Sequence, residues 1–63
     1  MSFNIDKKYL DNRIRYYRKK NREAEKIRLS EVTDSVTKGY YLELQFEYKA
    51  VIKELQYLKR KLQ

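Results

Sequence analysis

Six cations fall within ten residues of this chain, Arg13, Arg15, Arg18, Lys19, Lys20 and Arg22, with no acid between them. At that density Arg and Lys side chains can neutralise successive phosphates of a nucleic-acid backbone. At about 3.6 residues per helical turn, Lys8, Arg15, Arg18, Lys19, Arg22 and Lys26 gather on one face. Arg13 and Lys20 alternate with Tyr9 and Tyr16 along a neighbouring stripe, where the tyrosines are available to stack on exposed bases. The chemistry this implies is binding of nucleic acid or an acidic partner through Arg13, Arg15, Arg18, Lys19, Lys20, Arg22 and Lys26. The plainer reading is a solvated outer face, with the flanking cations answered by Glu43, Glu47 and Glu54 of another helix or another chain.

Catalytic chemistry has little to work with. The chain lacks His and Cys, so the commonest general base and the best nucleophile are both missing. The same absence removes disulfides and the usual zinc ligands, and the acids form no tight cluster. One glycine cannot make a glycine-rich phosphate loop. The expectation is a protein that is not an enzyme, with no catalytic residue, no metal, no cofactor and no small-molecule substrate.

The elements that must carry the basic run are helices. Apolar residues recur at Tyr41, Leu44, Tyr48, Val51, Leu55, Leu58 and Leu62, a heptad spacing that forms a seam on one helix. An earlier seam runs through Leu10, Ile14, Tyr17, Asn21 and Ala24, and Phe3 and Lys7 extend it backwards. Ser2, Asn4 and Asp6 are all candidate N-caps for this first helix. Asp11 and Arg15 are spaced for an i,i+4 ion pair along it. Between the seams, Ser30 to Gly39 collects hydroxyl residues, β-branched residues and the only glycine, all neutral or poor in helix interiors. The spacing predicts a helix over about 6–29, a turn over about 30–35 and a helix over about 35–62, within a single helical-hairpin domain 1–63.

Two registers close this hairpin. Pairing positions whose numbers sum to 65 sets Leu10 by Leu55, Ile14 by Val51, Tyr17 by Tyr48, Asn21 by Leu44, Ala24 by Tyr41 and Phe3 by Leu62. A sum of 72 sets Leu10 by Leu62 and moves the turn towards Val36. The first is preferred, because Val36, Tyr40 and Leu44 continue a stripe as a helix starting near Ser35 would. Gly39 then lies inside that helix at a cost of about 1 kcal/mol relative to alanine.

A chain of 63 residues buries little surface for its length and usually needs a staple. Without cysteine, packing and self-association remain. Leu42, Phe46, Ala50 and Tyr57 form a second apolar stripe roughly opposite the late seam, which a two-helix hairpin cannot cover. Stripes of this kind mark association surfaces. The expectation is therefore an all-α antiparallel hairpin, coiled-coil-like, that assembles as a homo-oligomer, a dimer favoured, into a helical bundle. The alternatives for the stripe are a groove on a protein partner, or a third short helix around Phe3 and Ile5. Asn21, polar within its seam, either fixes register or sits at the edge in water. Tyr17, Tyr41 and Tyr48 read as seam residues; Tyr9, Tyr16, Tyr40 and Tyr57 read as interface candidates.

The net charge of +7 is uneven: residues 1–31 hold ten Lys or Arg against five acids, and residues 32–63 hold six against four. Such an excess favours polyanions, acidic proteins or anionic membranes as partners. No apolar run is long enough to span a bilayer, so a soluble cytoplasmic protein is expected and a membrane partner is not. Short, basic, cysteine-free helical chains are often accessory factors, including products of phages and mobile elements.

Leu29-Ser30-Glu31-Val32 followed by Lys38-Gly39-Tyr40 resembles the two-helix core of helix-turn-helix repressors, over about a dozen residues. The resemblance implies DNA binding. The spacing is tighter than in that motif, and the unbroken heptad from Tyr41 leaves no room for the further short helices of such repressors. The function expected is that of a small accessory or regulatory protein acting by self-association and docking on a protein partner. The alternative is nucleic-acid binding through the basic face.

Overall fold

The computed structural model describes residues 6–62. Ser2 and Asn4 as caps, Phe3 beside Leu62, and a short helix around Phe3 and Ile5 lie outside the described residues. Two helices make up the rest, α1 (Lys7–Leu29) and α2 (Ser35–Lys61), packed against each other. No strand occurs among the described residues.

Both helices start at an aspartate. Asp6 Oδ1 accepts a hydrogen bond from the Tyr9 amide at 2.8 Å, and Asp34 Oδ1 accepts from the Thr37 amide at 2.7 Å. Each side chain satisfies an amide that the helix leaves without a partner and places a negative charge at the positive end of the dipole. α1 closes with the Ser30 amide on the Ile27 carbonyl, and the Thr33 amide returns to the Ser30 carbonyl, so five residues reverse the chain. No described residue needs a positive φ to do this, and Gly39 sits inside α2 rather than in the turn. Lys59, Arg60 and Lys61 end α2, where cations suit the negative end of its dipole.

The helices run antiparallel. Tyr17 faces Tyr48 with ring centroids 6.0 Å apart, and Asn21 meets Gln45 by hydrogen bond. Those pairs sum to 65 and 66, so the structure has the earlier of the two registers, with its turn over residues 30–34. The likeness to helix-turn-helix repressors does not survive. Leu29 ends α1, Lys38-Gly39-Tyr40 lies within an unbroken 27-residue α2, and the helices lie side by side. In that motif they cross at roughly 90–120°.

The late seam needs a correction. Leu58 and Leu62 are 45% and 52% exposed, whereas Gln45 is only 5% exposed and Ile52, Gln56 and Lys59 are half-buried. Gln45 is the buried position on α2, and Tyr41, Leu44, Tyr48, Val51, Ile52, Leu55, Gln56 and Lys59 are half-buried, so the expected seam holds through Leu55 and fails at Leu58 and Leu62. From Tyr41 to Lys59 is 18 residues, or five turns at about 3.6 residues each. A seven-residue grid drifts by about 20° per heptad on a straight helix. By the end of the third heptad the drift has turned Leu58 and Leu62 outward, while Gln56 and Lys59 are half-buried. On α1 the expected seam Leu10, Ile14, Tyr17, Asn21 and Ala24 is buried or half-buried, with Arg28 continuing it forwards, whereas Lys7 is exposed and does not extend it backwards. The buried apolar core is small: Leu10, Ile14 and Ala24.

The expected Asp11–Arg15 pair along α1 is also replaced. Asp11 forms an ion pair with Lys59 of α2 instead.

Candidate nucleic-acid and protein interfaces

The apolar sector of α2 is wider than the strip α1 covers, so it overhangs on one side. Helical phase places Tyr40, Leu44, Val51 and Leu58 there, beside Tyr9, Tyr16 and Ile27 of α1. A shallow cleft of about 260 Å³ marks this side, lined by Lys20, Glu23, Ala24, Ile27, Tyr40, Tyr41, Leu44 and Tyr48. Tyrosine rings meet edge to face along it, Tyr16 with Tyr17 at 5.2 Å and Tyr40 with Tyr41 at 5.3 Å. Leu42, Phe46, Ala50 and Tyr57 lie on the other flank of α2 and are all exposed, Phe46 by 63%. Lys61 covers part of that strip, its Nζ 4.9 Å from the centroid of Tyr57.

The opposite side of the hairpin is basic. An open cleft of about 680 Å³ runs between the helices, lined by Asp11, Ile14, Arg15, Arg18 and Arg22 of α1 and by Gln56, Lys59 and Arg60 of α2. Asp11 is its one acid, already paired with Lys59. The hydrogen bond from Lys59 holds the Asp11 carboxyl below its ordinary range, with the nearby Lys7 and Arg15 charges adding to the effect. Asp11–Lys59 is the only ion pair among the described residues.

The basic residues singled out in the sequence therefore separate into three groups. Arg15, Arg18 and Arg22 line the cleft. Lys19 and Lys26 are exposed and point away from α2. Arg13 and Lys20 belong to the aromatic side: the Arg13 guanidinium lies 5.1 Å from the Tyr17 centroid and 5.3 Å from that of Tyr16, and donates to the Tyr17 hydroxyl at 3.1 Å. Lys20 Nζ sits 5.7 Å from the Tyr16 centroid. Cations over aromatic faces are attracted by the ring quadrupole. Within the hairpin these two are answered by tyrosines and not by Glu43, Glu47 or Glu54, which are exposed on the side of α2 away from α1.

Lys59 and Arg60 enter the cleft unforeseen. They lie in the last turn of α2, and the phase of that helix brings them to the edge of the cleft beside α1. Asp11 was the available signal, an acid on the inner edge of α1 that a cation on α2 could answer.

Between the two sides lies a polar cluster. Gln45 accepts from Arg28 Nε at 2.7 Å, and its amide donates to Asn21 Oδ1 at 3.2 Å and to the Asn21 carbonyl at 3.5 Å. No buried side-chain polar atom among the described residues is left without a partner. Asn21 is thus a half-buried seam residue bonded to Gln45. Among the described residues no group of three or more acids is placed to hold a metal ion, and no helix is long and apolar enough to cross a membrane. Comparison of the chain with protein-family models, curated proteins and solved structures finds no match.

Proposed function

We propose that the chain is a small, non-enzymatic accessory or regulatory protein that self-associates and docks on a protein partner. The carrying observation is the imbalance of its apolar surface: among the described residues three hydrophobic side chains are buried while twelve large ones are exposed. Burying a Leu or Phe side chain contributes roughly 1.5–3 kcal/mol. A hairpin that leaves so many partly in water has further apolar stabilisation to gain, and small domains commonly gain it by association. The aromatic side suits a second copy, because both helices contribute to it and two hairpins meeting there complete a four-helix arrangement. The narrower strip through Leu42, Phe46, Ala50 and Tyr57 remains for a protein partner.

Sedimentation velocity at micromolar concentration tests this. The parent protein is expected as a dimer, Val51→Glu with Leu58→Glu as a monomer, and Leu42→Glu with Phe46→Glu as a dimer still. A monomeric parent, or a dimer indifferent to the Val51 and Leu58 changes, overturns the reading.

A further inference from the structure

We infer that the cleft between the helices, on the side opposite the aromatic face, is a seat for the phosphate backbone of double-stranded nucleic acid. This goes beyond self-association and rests on different residues. Arg15, Arg18 and Arg22 recur at i, i+3 and i+7, one row along α1, and Arg60 and Lys59 face them from α2. The row spans about 10 Å at 1.5 Å per residue. That is the axial length of roughly three nucleotide steps on one strand, at about 3.4 Å each. None of the three arginines has a carboxylate within ion-pair distance among the described residues, and the one acid in the cleft is already held by Lys59. With Lys59 and Asp11 offsetting each other, four cations, Arg15, Arg18, Arg22 and Arg60, remain to make the cleft attractive to a polyanion.

The choice of a duplex rests on what the cleft lacks. Sequence-tolerant binding of single strands uses aromatic platforms on which bases stack. No aromatic ring lines the cleft: Tyr9 and Tyr16 face the other side of the hairpin, and Phe46 and Tyr57, on the same flank of α2 as Arg60, stand outside it. Its only apolar floor is Ile14. Guanidinium groups without stacking rings track phosphates, which position a protein on nucleic acid without reading sequence. Duplexes of unrelated sequence should therefore bind alike.

Fluorescence anisotropy on a labelled duplex of about 20 base pairs tests this across a salt series. Affinity is expected to fall with a log–log slope of about −3 to −4, at roughly −0.9 for each phosphate neutralised. Arg15→Gln, Arg18→Gln and Arg22→Gln together should weaken binding by about tenfold or more. A charge-matched control, Lys8→Gln with Lys19→Gln and Lys26→Gln on the back of α1, should cost far less. Arg18→Gln with Arg60→Gln, one change on each helix, should resemble the first set, and circular dichroism checks that every variant keeps its helices. Equal losses from the cleft and back-face sets would sink the cleft as the seat. So would tighter binding to the same sequence as a single strand, to anionic phospholipid vesicles or to polyglutamate, and so would no binding at low salt.

Discussion

Gln45 reaches across the hairpin to Asn21, donating to its side-chain oxygen at 3.2 Å, while Arg28 donates to the Gln45 carbonyl oxygen at 2.7 Å. Gln45 is the most buried residue of α2, and its bonds hold it there. Buried amides are tolerated only when bonded, and a bonded pair at one level favours the register that brings its members together.

Breaking this pair should be costly, and removing both members much less so. Gln45→Ala is expected to lose about 1–3 kcal/mol, the usual cost of leaving a partly buried polar group without its partner. Gln45→Leu combined with Asn21→Leu should recover most of it. A double-mutant cycle by urea unfolding measures the coupling, and a value below about 0.5 kcal/mol would mean that the two amides act independently.

Gly39 offers the opposite effect. It lies within α2, its φ is not positive, and a Cβ built there meets nothing within 4 Å. Gly39→Ala should therefore stabilise the protein by about 1 kcal/mol, through helix propensity and a more restricted unfolded chain. The unfolding midpoint should rise with the m-value unchanged.

Acid should weaken the hairpin at two identifiable points. Asp34 is lowered from 3.8 by hydrogen bonding to Thr37, and Asp11 from 3.8 by its bond to Lys59. A carboxyl whose folded pKa lies below its unfolded one contributes stability that is present above the unfolded value. That contribution is lost as the pH falls through the folded value. Thermal midpoints should hold above about pH 5 and drop below it. Asp34→Asn keeps a good helix cap but cannot titrate, so it should flatten part of that drop. An unchanged acid profile in this variant would assign the effect to Asp11 or elsewhere.

Most of the fold was legible in the sequence because helix signals are local. Asp6 reads as a cap, the residues from Ser30 to Gly39 as a break, and Leu10, Ile14 and Ala24 as the inner face of α1. The phase of α2 was less legible, for a physical reason. A heptad grid and a straight helix agree over one or two turns and diverge after that, so Tyr41 and Tyr48 were placed correctly while Leu58 and Leu62 were not. The polar bond of Gln45 then decides which edge of a wide apolar sector turns inward. A hint was present: at a sum of 65 Asn21 stood opposite Leu44, an amide against a leucine, one residue away from a group that could satisfy it. The basic cleft was legible on its α1 side alone, since Lys59 and Arg60 join it only once the rotation of α2 is known.

The hairpin's Cα atoms fill a slab of 46 × 22 × 14 Å, so only two helix surfaces and no third layer separate the aromatic side from the basic one. Two copies closed through their aromatic sides would carry their arginine rows outward, facing away from each other. Such an assembly is a bivalent bridge. Once one segment is held, a second segment of the same polymer arrives at an effective concentration set by the chain between them, not by the bulk. Dimer formation and polyanion binding would then reinforce each other, and the product would be a gathered or looped strand rather than a coated one.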